Sequence, residues 1–219
     1  MLQAALLGGH EPVRRVLALG SHPDDIEIGC GATLLALQRA HELDVAWIVL
    51  AAEGAREEEA RASADAFLAG AASRTIRCHG FRDGYLPYVG AEVKDVFEEL
   101  KSEFDPQLVF THGRNDLHQD HRLVCELTWN TWRDHLILEY EIPKYDGDLG
   151  SPNVFVPVSE ELAREKAELI TASFPSQHER HWFAAELFLG LMRVRGMEGH
   201  APGGYAEAFT CRKLSLGLA

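Results

Sequence analysis

Short apolar runs and longer amphipathic stretches take turns along the chain. Val16, Leu17, Ala18 and Leu19 are continuous apolar positions, the pattern of a strand buried on both faces, and predict a strand over 14–21. A helix is predicted over 27–42, with Leu34, Leu35, Leu37 and Ala40 along one side. The same alternation predicts strands over 45–51, 75–78 and 108–111, with helices over 56–68 and 92–104 between them. Gly70 past the first of these helices and Pro106 past the second are suitable stop signals. Strands separated by helices at this spacing build parallel βαβ units. The expected fold class is α/β, a doubly wound and mostly parallel sheet with helices on both faces, across at least 14–111.

Beyond Thr111 the pattern changes. A polar loop over 112–120 leads to a helix over 122–133 and strands over 136–142 and 154–158. Ser159 caps a further helix, and Glu160 and Glu161 lie in its first turn, where the helix dipole favours acids. A helix over 176–195, a glycine-rich loop over 196–204 and a strand over 208–214 complete a C-terminal extension. No internal repeat breaks the chain, so a single domain over 1–219 is expected.

Composition narrows the partners more than the fold. Hydrophobic residues make up 46% and charged residues 25%, the ordinary globular range. A formal net charge of −13 argues against nucleic acid and anionic membrane as general partners, because both would be repelled. Cys30, Cys78, Cys125 and Cys211 form no CxxC pair and read as small apolar residues in a reduced compartment. The apolar start, 1–12, reads as a leader without the basic region of a signal peptide. No apolar run approaches the length of a membrane span, and a soluble cytoplasmic protein is expected.

The candidate chemistry sits in two clusters, each directly after a predicted parallel strand. The first is Ser21-His22-Pro23-Asp24-Asp25; the second is Asp116-Leu117-His118-Gln119-Asp120-His121. In a doubly wound sheet both face the crevice beyond the carboxyl ends of the strands. His22, Asp25 and His121 supply two imidazoles and a carboxylate, a set suited to a catalytic zinc that keeps one position open for water. The same set accepts iron, cobalt or manganese. Asp24, beside the ligand Asp25, suits a general base acting on that water, or a helix cap, or both. His118 suits a general acid or oxyanion partner, with Asp120 expected to hydrogen-bond its imidazole.

His22-Pro23-Asp24-Asp25, followed by Glu27, Gly29, Cys30, Gly31, Thr33 and Leu34, resembles the AHPDDxExGCGGTL signature of the PIG-L/LmbE-like zinc-dependent N-deacetylases. Asp116-x-His118-x-Asp120-His121-Arg122 resembles the second signature of that family, and Tyr205-Ala206-Glu207-Ala208-Phe209 its C-terminal end. Ser21, Ile26 and Ala32 depart from the pattern without removing a proposed ligand or the base. The resemblance implies a Rossmann-like fold and hydrolysis of an acetamide, usually on N-acetylglucosamine attached to another group. It places zinc on His22, Asp25 and His121, makes Asp24 the base, and makes His118 the acid or oxyanion partner.

Substrate contacts are less sharply defined. The resemblance implies sugar contacts for Arg56, after the second strand, and Asp83, after the third; the plainer readings are a solvated helix start and a turn residue. Arg193 and Arg195, beside the glycine-rich loop, suit either an anion pocket or packing. A homo-oligomer with a shared rim fits the family. Two alternatives keep the same residues: an amidase acting on a larger sugar–thiol conjugate, and a metal-stabilised binding protein without catalysis. A dinucleotide-binding reading lacks the GxGxxG spacing.

Overall fold

A computed structural model describes residues 13–215; the leader expected over 1–12 lies outside the described residues. One seven-stranded sheet organises the chain. β1 (Arg15–Gly20), β2 (Asp44–Val49), β3 (Ser73–Cys78), β4 (Leu108–His112) and β5 (Leu136–Tyr140) are parallel. β6 (Val154–Val158) and β7 (Tyr205–Thr210) extend the sheet, β7 running antiparallel to both β5 and β6. The order is β3-β2-β1-β4-β5-β7-β6, the α/β Rossmann-like arrangement expected.

That order reverses between β1 and β4. The chain works outward from β1 through β2 to β3, then restarts at β4 on the other side. Connections leave the two central strands in opposite directions, so a crevice opens at their carboxyl ends. Both clusters follow these two strands.

The helices α1 (Asp25–Ala40), α2 (Ala55–Phe67), α5 (Glu160–Ser173) and α6 (Ala185–Glu198) cover one face. The helices α3 (Gly90–Glu103) and α4 (Gln119–Thr131) cover the other. Along β1, Val16 and Ala18 enter the first core while Leu17 and Leu19 enter the second. Burial on both faces is why these strands read as unbroken apolar runs. α1 lies close to the sheet because Gly29 has no side chain; a Cβ there would sit 2.3 Å from the Tyr140 ring.

Several boundaries differ from expectation; α4, for one, starts at Gln119 rather than 122. α1 starts at Asp25 rather than 27, because the turn after β1 is tight and Asp25 already belongs to the helix. α6 starts at Ala185 rather than 176. The Ser176 amide and hydroxyl are held by Glu59 of α2, at 2.8 and 2.6 Å, within a short 3-10 turn, Pro175–Gln177. β7 spans Tyr205–Thr210 rather than 208–214, because its partner β6 pairs with it from Val158 opposite Tyr205 to Val154 opposite Phe209.

A buried ion pair ties the C-terminal extension to α1. Lys166 of α5 donates to Glu207 Oε1 and to the Ile28 carbonyl, both at 2.6 Å. Glu207 of β7 accepts the amides of Ala32 and Thr33 at 2.9 and 2.7 Å. Both side chains are only 2% exposed. Removing one member strands the other charge in the core. Lys166→Met is therefore expected to lower the unfolding free energy by about 3–5 kcal/mol in urea titrations. Adding Glu207→Leu should restore part of that loss, since the two helix amides can return to carbonyls four residues back. A single-variant loss under about 1 kcal/mol would show that the pair is not stranded in this way.

Candidate active site

β1 ends in a turn that sets Asp24 at φ 93°, in the left-handed region. A non-glycine residue there costs about 1–2 kcal/mol and persists only when its surroundings hold it. Arg56 of α2 supplies the hold: its guanidinium donates to the Pro23 carbonyl at 2.7 Å and to Asp24 Oδ2 at 3.2 Å. Asp24 occupies the cap position of α1, yet its side chain makes no cap hydrogen bond. Its carboxylate is free of the helix and buried. Burial and the adjacent Asp25 push its pKa up to about 7, against the pull of Arg56.

The turn brings His22 and Asp25 against His121, in the first turns of α4. His22 Nδ1 lies 3.2 Å from His121 Nε2 and 3.4 Å from Asp25 Oδ2; His121 Nε2 lies 3.5 Å from Asp25 Oδ1. A tetrahedral ion with bonds of about 2.0–2.2 Å separates its ligands by about 3.3–3.6 Å. The three residues expected from the sequence approach one another at nearly that spacing, with one oxygen of Asp25 towards His22 and the other towards His121.

The outer contacts decide which nitrogen of each ring faces inward. Asp120 Oδ2 and Asp83 Oδ1 lie 3.1 and 3.0 Å from His22 Nε2, so that nitrogen carries the proton. Asp116 Oδ2, 2.9 Å from His121 Nδ1, does the same for the second ring. With those protons turned outward, the inward nitrogens of both rings can give lone pairs to a cation held beside the Asp25 carboxylate. Burial works against a charge on His22, but the Asp120, Asp25 and Asp83 carboxylates outweigh it and hold its pKa well above the usual histidine value. The residues therefore fit a divalent transition ion, and the donor chemistry alone does not select which one.

Two expectations change partner. Asp120 does not hydrogen-bond the His118 imidazole. Its carboxylate contacts His22 and accepts the amides of Gly84 and Leu86 at 2.8 and 3.1 Å. Two residues apart on a helix start, 118 and 120 point in different directions. His118 instead caps α4 through Nδ1, which accepts the Asp120 amide at 3.3 Å. Its proton is thereby placed on Nε2. Burial and the neighbouring His121 and His22 lower its pKa below the usual value, so the neutral ring is favoured. Arg56, expected at a sugar, is engaged with the Asp24 turn and reaches Ser176 Oγ at 3.3 Å. Asp83 stands at the mouth, its side chain 78% exposed, with one oxygen on His22.

Other residues here carried no firm role in the sequence. His112 is fully buried, accepts the Ser21 amide at 3.0 Å through Nε2, and stacks on His121 at 3.8 Å. Lys144 bonds Asp116 at 2.9 Å and so backs the carboxylate behind His121. Nothing in the local sequence signals Lys144; its partner is 28 residues away. Arg195 pairs with Glu141 and Glu198, and Arg193 bonds the Gly204 carbonyl over the Tyr205 ring. Both are thus engaged within the extension, and the charge of Arg195 is met by two carboxylates.

The chain is 30% identical over 179 residues to an uncharacterized deacetylase, YaiS, of Escherichia coli, a match covering 74% of this chain and 91% of that protein. Its fold is similar to that of N,N'-diacetylchitobiose deacetylase from Pyrococcus horikoshii, with a TM-score of 0.72, 20% identity, and coverage of 91% of this chain and 84% of that one. It is equally similar in fold to GalB, the 4-carboxy-2-hydroxymuconate hydratase of Pseudomonas putida, with a TM-score of 0.73 at 14% identity over 94% and 100% of the two chains. Likeness at that identity speaks for the fold alone. The family model for PIG-L, the GlcNAc-PI de-N-acetylases, matches residues 17–132, from β1 through the end of α4, and so includes both turns that carry the His/Asp clusters. With over half of the chain matched and a deacetylase relative along most of its length, this chain belongs to the PIG-L deacetylase family.

Proposed function

We propose that the chain is a zinc-dependent hydrolase that removes the acetyl group from the amide nitrogen of an N-acetylglucosamine-type derivative, giving acetate and a free amine. The observation that supports this most is the division of labour in the crevice. Three donors converge at 3.2–3.5 Å, while a buried carboxylate, Asp24, and a ring N–H, on His118, stay outside the donor set. A purely structural zinc site would use four protein ligands and leave no such pair.

His22, Asp25 and His121 would hold the ion. When bound, it supplies Lewis acidity, polarising the carbonyl and lowering the pKa of water to about 7. Asp24 takes a proton from the attacking water as its oxygen bonds to the acetyl carbon. A carboxylate with a pKa of about 7 is matched to that task. His118 Nε2–H donates to the developing oxyanion. As the C–N bond breaks, the proton held on Asp24 passes to the leaving nitrogen. Asp83, at the mouth, accepts a sugar hydroxyl. Arg56 keeps Asp24 in its strained turn and Asp120 keeps His22 facing inward.

The test is metal-replete protein incubated with a panel of N-acetylated sugars, with amine and acetate both measured. Equal release of the two is expected. Amine release without acetate from a larger amide would replace this reading with the amidase. Bound metal with no amine from any member would replace it with the binding protein.

A further inference from the structure

Eight large hydrophobic side chains are exposed among the described residues, and five of them follow the parallel strands that end at the crevice: Tyr85, Tyr88, Leu117, Tyr145 and Leu149. They lie on three loops, 82–89, 113–118 and 141–150, that make up 24 of the 203 described residues. An even spread would put one there. The loops follow the third, fourth and fifth strands and rise around the crevice.

Each of these side chains is tied to the centre through its neighbours. Tyr85 lies between Gly84 and Leu86, whose amides bind Asp120. Tyr88 packs on Tyr85 with ring centroids 5.7 Å apart. Leu117 lies between Asp116 and His118, and its amide donates to Asp148 at 2.6 Å. Tyr145 follows Lys144, the partner of Asp116, and Leu149 follows Asp148, the other partner of Lys144. The carboxylates that orient the two inward-facing rings thus also anchor the two aromatic loops: Asp120 the first, Asp116 through Lys144 the second.

The aromatic side chains are preorganised. Arg82 lies over the Tyr85 ring at 3.6 Å, and Tyr145 meets the His181 ring at 5.5 Å. Rings held in place lose little freedom on binding. Exposed apolar surface of this kind, concentrated around a polar centre, marks a place where a ligand is covered.

We infer that this rim binds the part of the substrate beyond the acetylated sugar, and that this part is an apolar alkyl or aryl group. The inference rests on the deacetylase reading above. A polar aglycone would leave the five side chains without a partner, and the acidic chain disfavours an anionic lipid surface. The apolar group extends the substrate outward from the amide, while the sugar hydroxyls meet Asp83 at the mouth.

Two measurements test this. The first compares methyl, hexyl and phenyl glycosides of N-acetylglucosamine with metal-loaded protein. With each buried methylene worth up to about fourfold, kcat/KM for the hexyl and phenyl glycosides should exceed that for the methyl glycoside by about tenfold or more. The Tyr88→Ser/Tyr145→Ser double variant should collapse that ratio towards one. The second uses metal-free protein and hexyl glucoside, which has no amide. Calorimetric binding should be detectable for the original chain and at least about tenfold weaker for the double variant.

Equal kcat/KM values for the three glycosides, with no hexyl glucoside binding, would overturn the rim while leaving deacetylation intact. No hydrolysis of any glycoside, with hexyl glucoside binding lost in the double variant, would overturn the deacetylase reading but keep the apolar site. A dimer that dissociates in the double variant would overturn the inference in favour of a second copy of the chain on this surface.

Discussion

Asp24→Asn is expected to lower kcat by about 10²–10⁴-fold while the protein stays folded and keeps its metal. The proposed base works only if its carboxylate can take a proton, and an amide of the same shape cannot. Asn is the informative replacement because Asp24 sits at φ 93°. Asn tolerates left-handed backbone, so the turn and its contact with Arg56 survive in outline. Asp24→Ala would mix the loss of the base with added strain in the turn that carries His22 and Asp25. The check is kcat for acetate release together with metal content per chain. An Asn variant that keeps more than about a tenth of kcat would remove Asp24 from the role of base.

Metal binding should fail in a graded way around the triangle of donors. His121→Ala removes one of the three proposed ligands and should leave no ion bound after dialysis, with activity lost to the same degree. Asp116→Asn keeps every ligand but weakens the group behind His121, and a drop in metal affinity of about 10–100-fold is expected. Thermal melting gives a readout independent of turnover. A ligand that binds only the folded chain raises its melting point, so a chelator should lower the midpoint of the original protein and of Asp24→Asn. It should leave His121→Ala unmoved. A His121→Ala variant that still holds metal as tightly as the original chain would move the site to His22, Asp83 and Asp120, a grouping in the crevice that does not use His121.

Much of this architecture is legible in the chain. Apolar runs such as Val16–Leu19 marked the central strands because a parallel strand buried on both faces leaves no polar alternate. The two His/Asp clusters could be placed at one sheet edge because each follows such a strand. The antiparallel end of the sheet was less legible. β7 is bounded by its register with β6, and Glu207, a charged residue within it, is accommodated by Lys166 from a helix 41 residues away. The start of α6 was misplaced for a similar reason: the preceding segment follows Glu59 of α2 rather than its own helical periodicity.

The sequence by itself determined the α/β class, the pairing of the two turns, and the residues His22, Asp24, Asp25, His118 and His121 as the candidate machinery. Motif spacing sufficed for these because they lie within a few residues of a strand end, where backbone direction is set locally. Only the tertiary structure decided which group serves which. It gave Asp120 to His22 instead of His118, Asp116 to His121 with Lys144 behind it, and Arg56 to the Asp24 turn. It also left five large apolar side chains exposed on the loops after β3, β4 and β5. Side-chain pairing depends on directions and separations in space: Asp116 and His121 are five positions apart, but Asp116–Lys144 and His22–Asp120, 28 and 98 positions apart, leave no local trace in the chain.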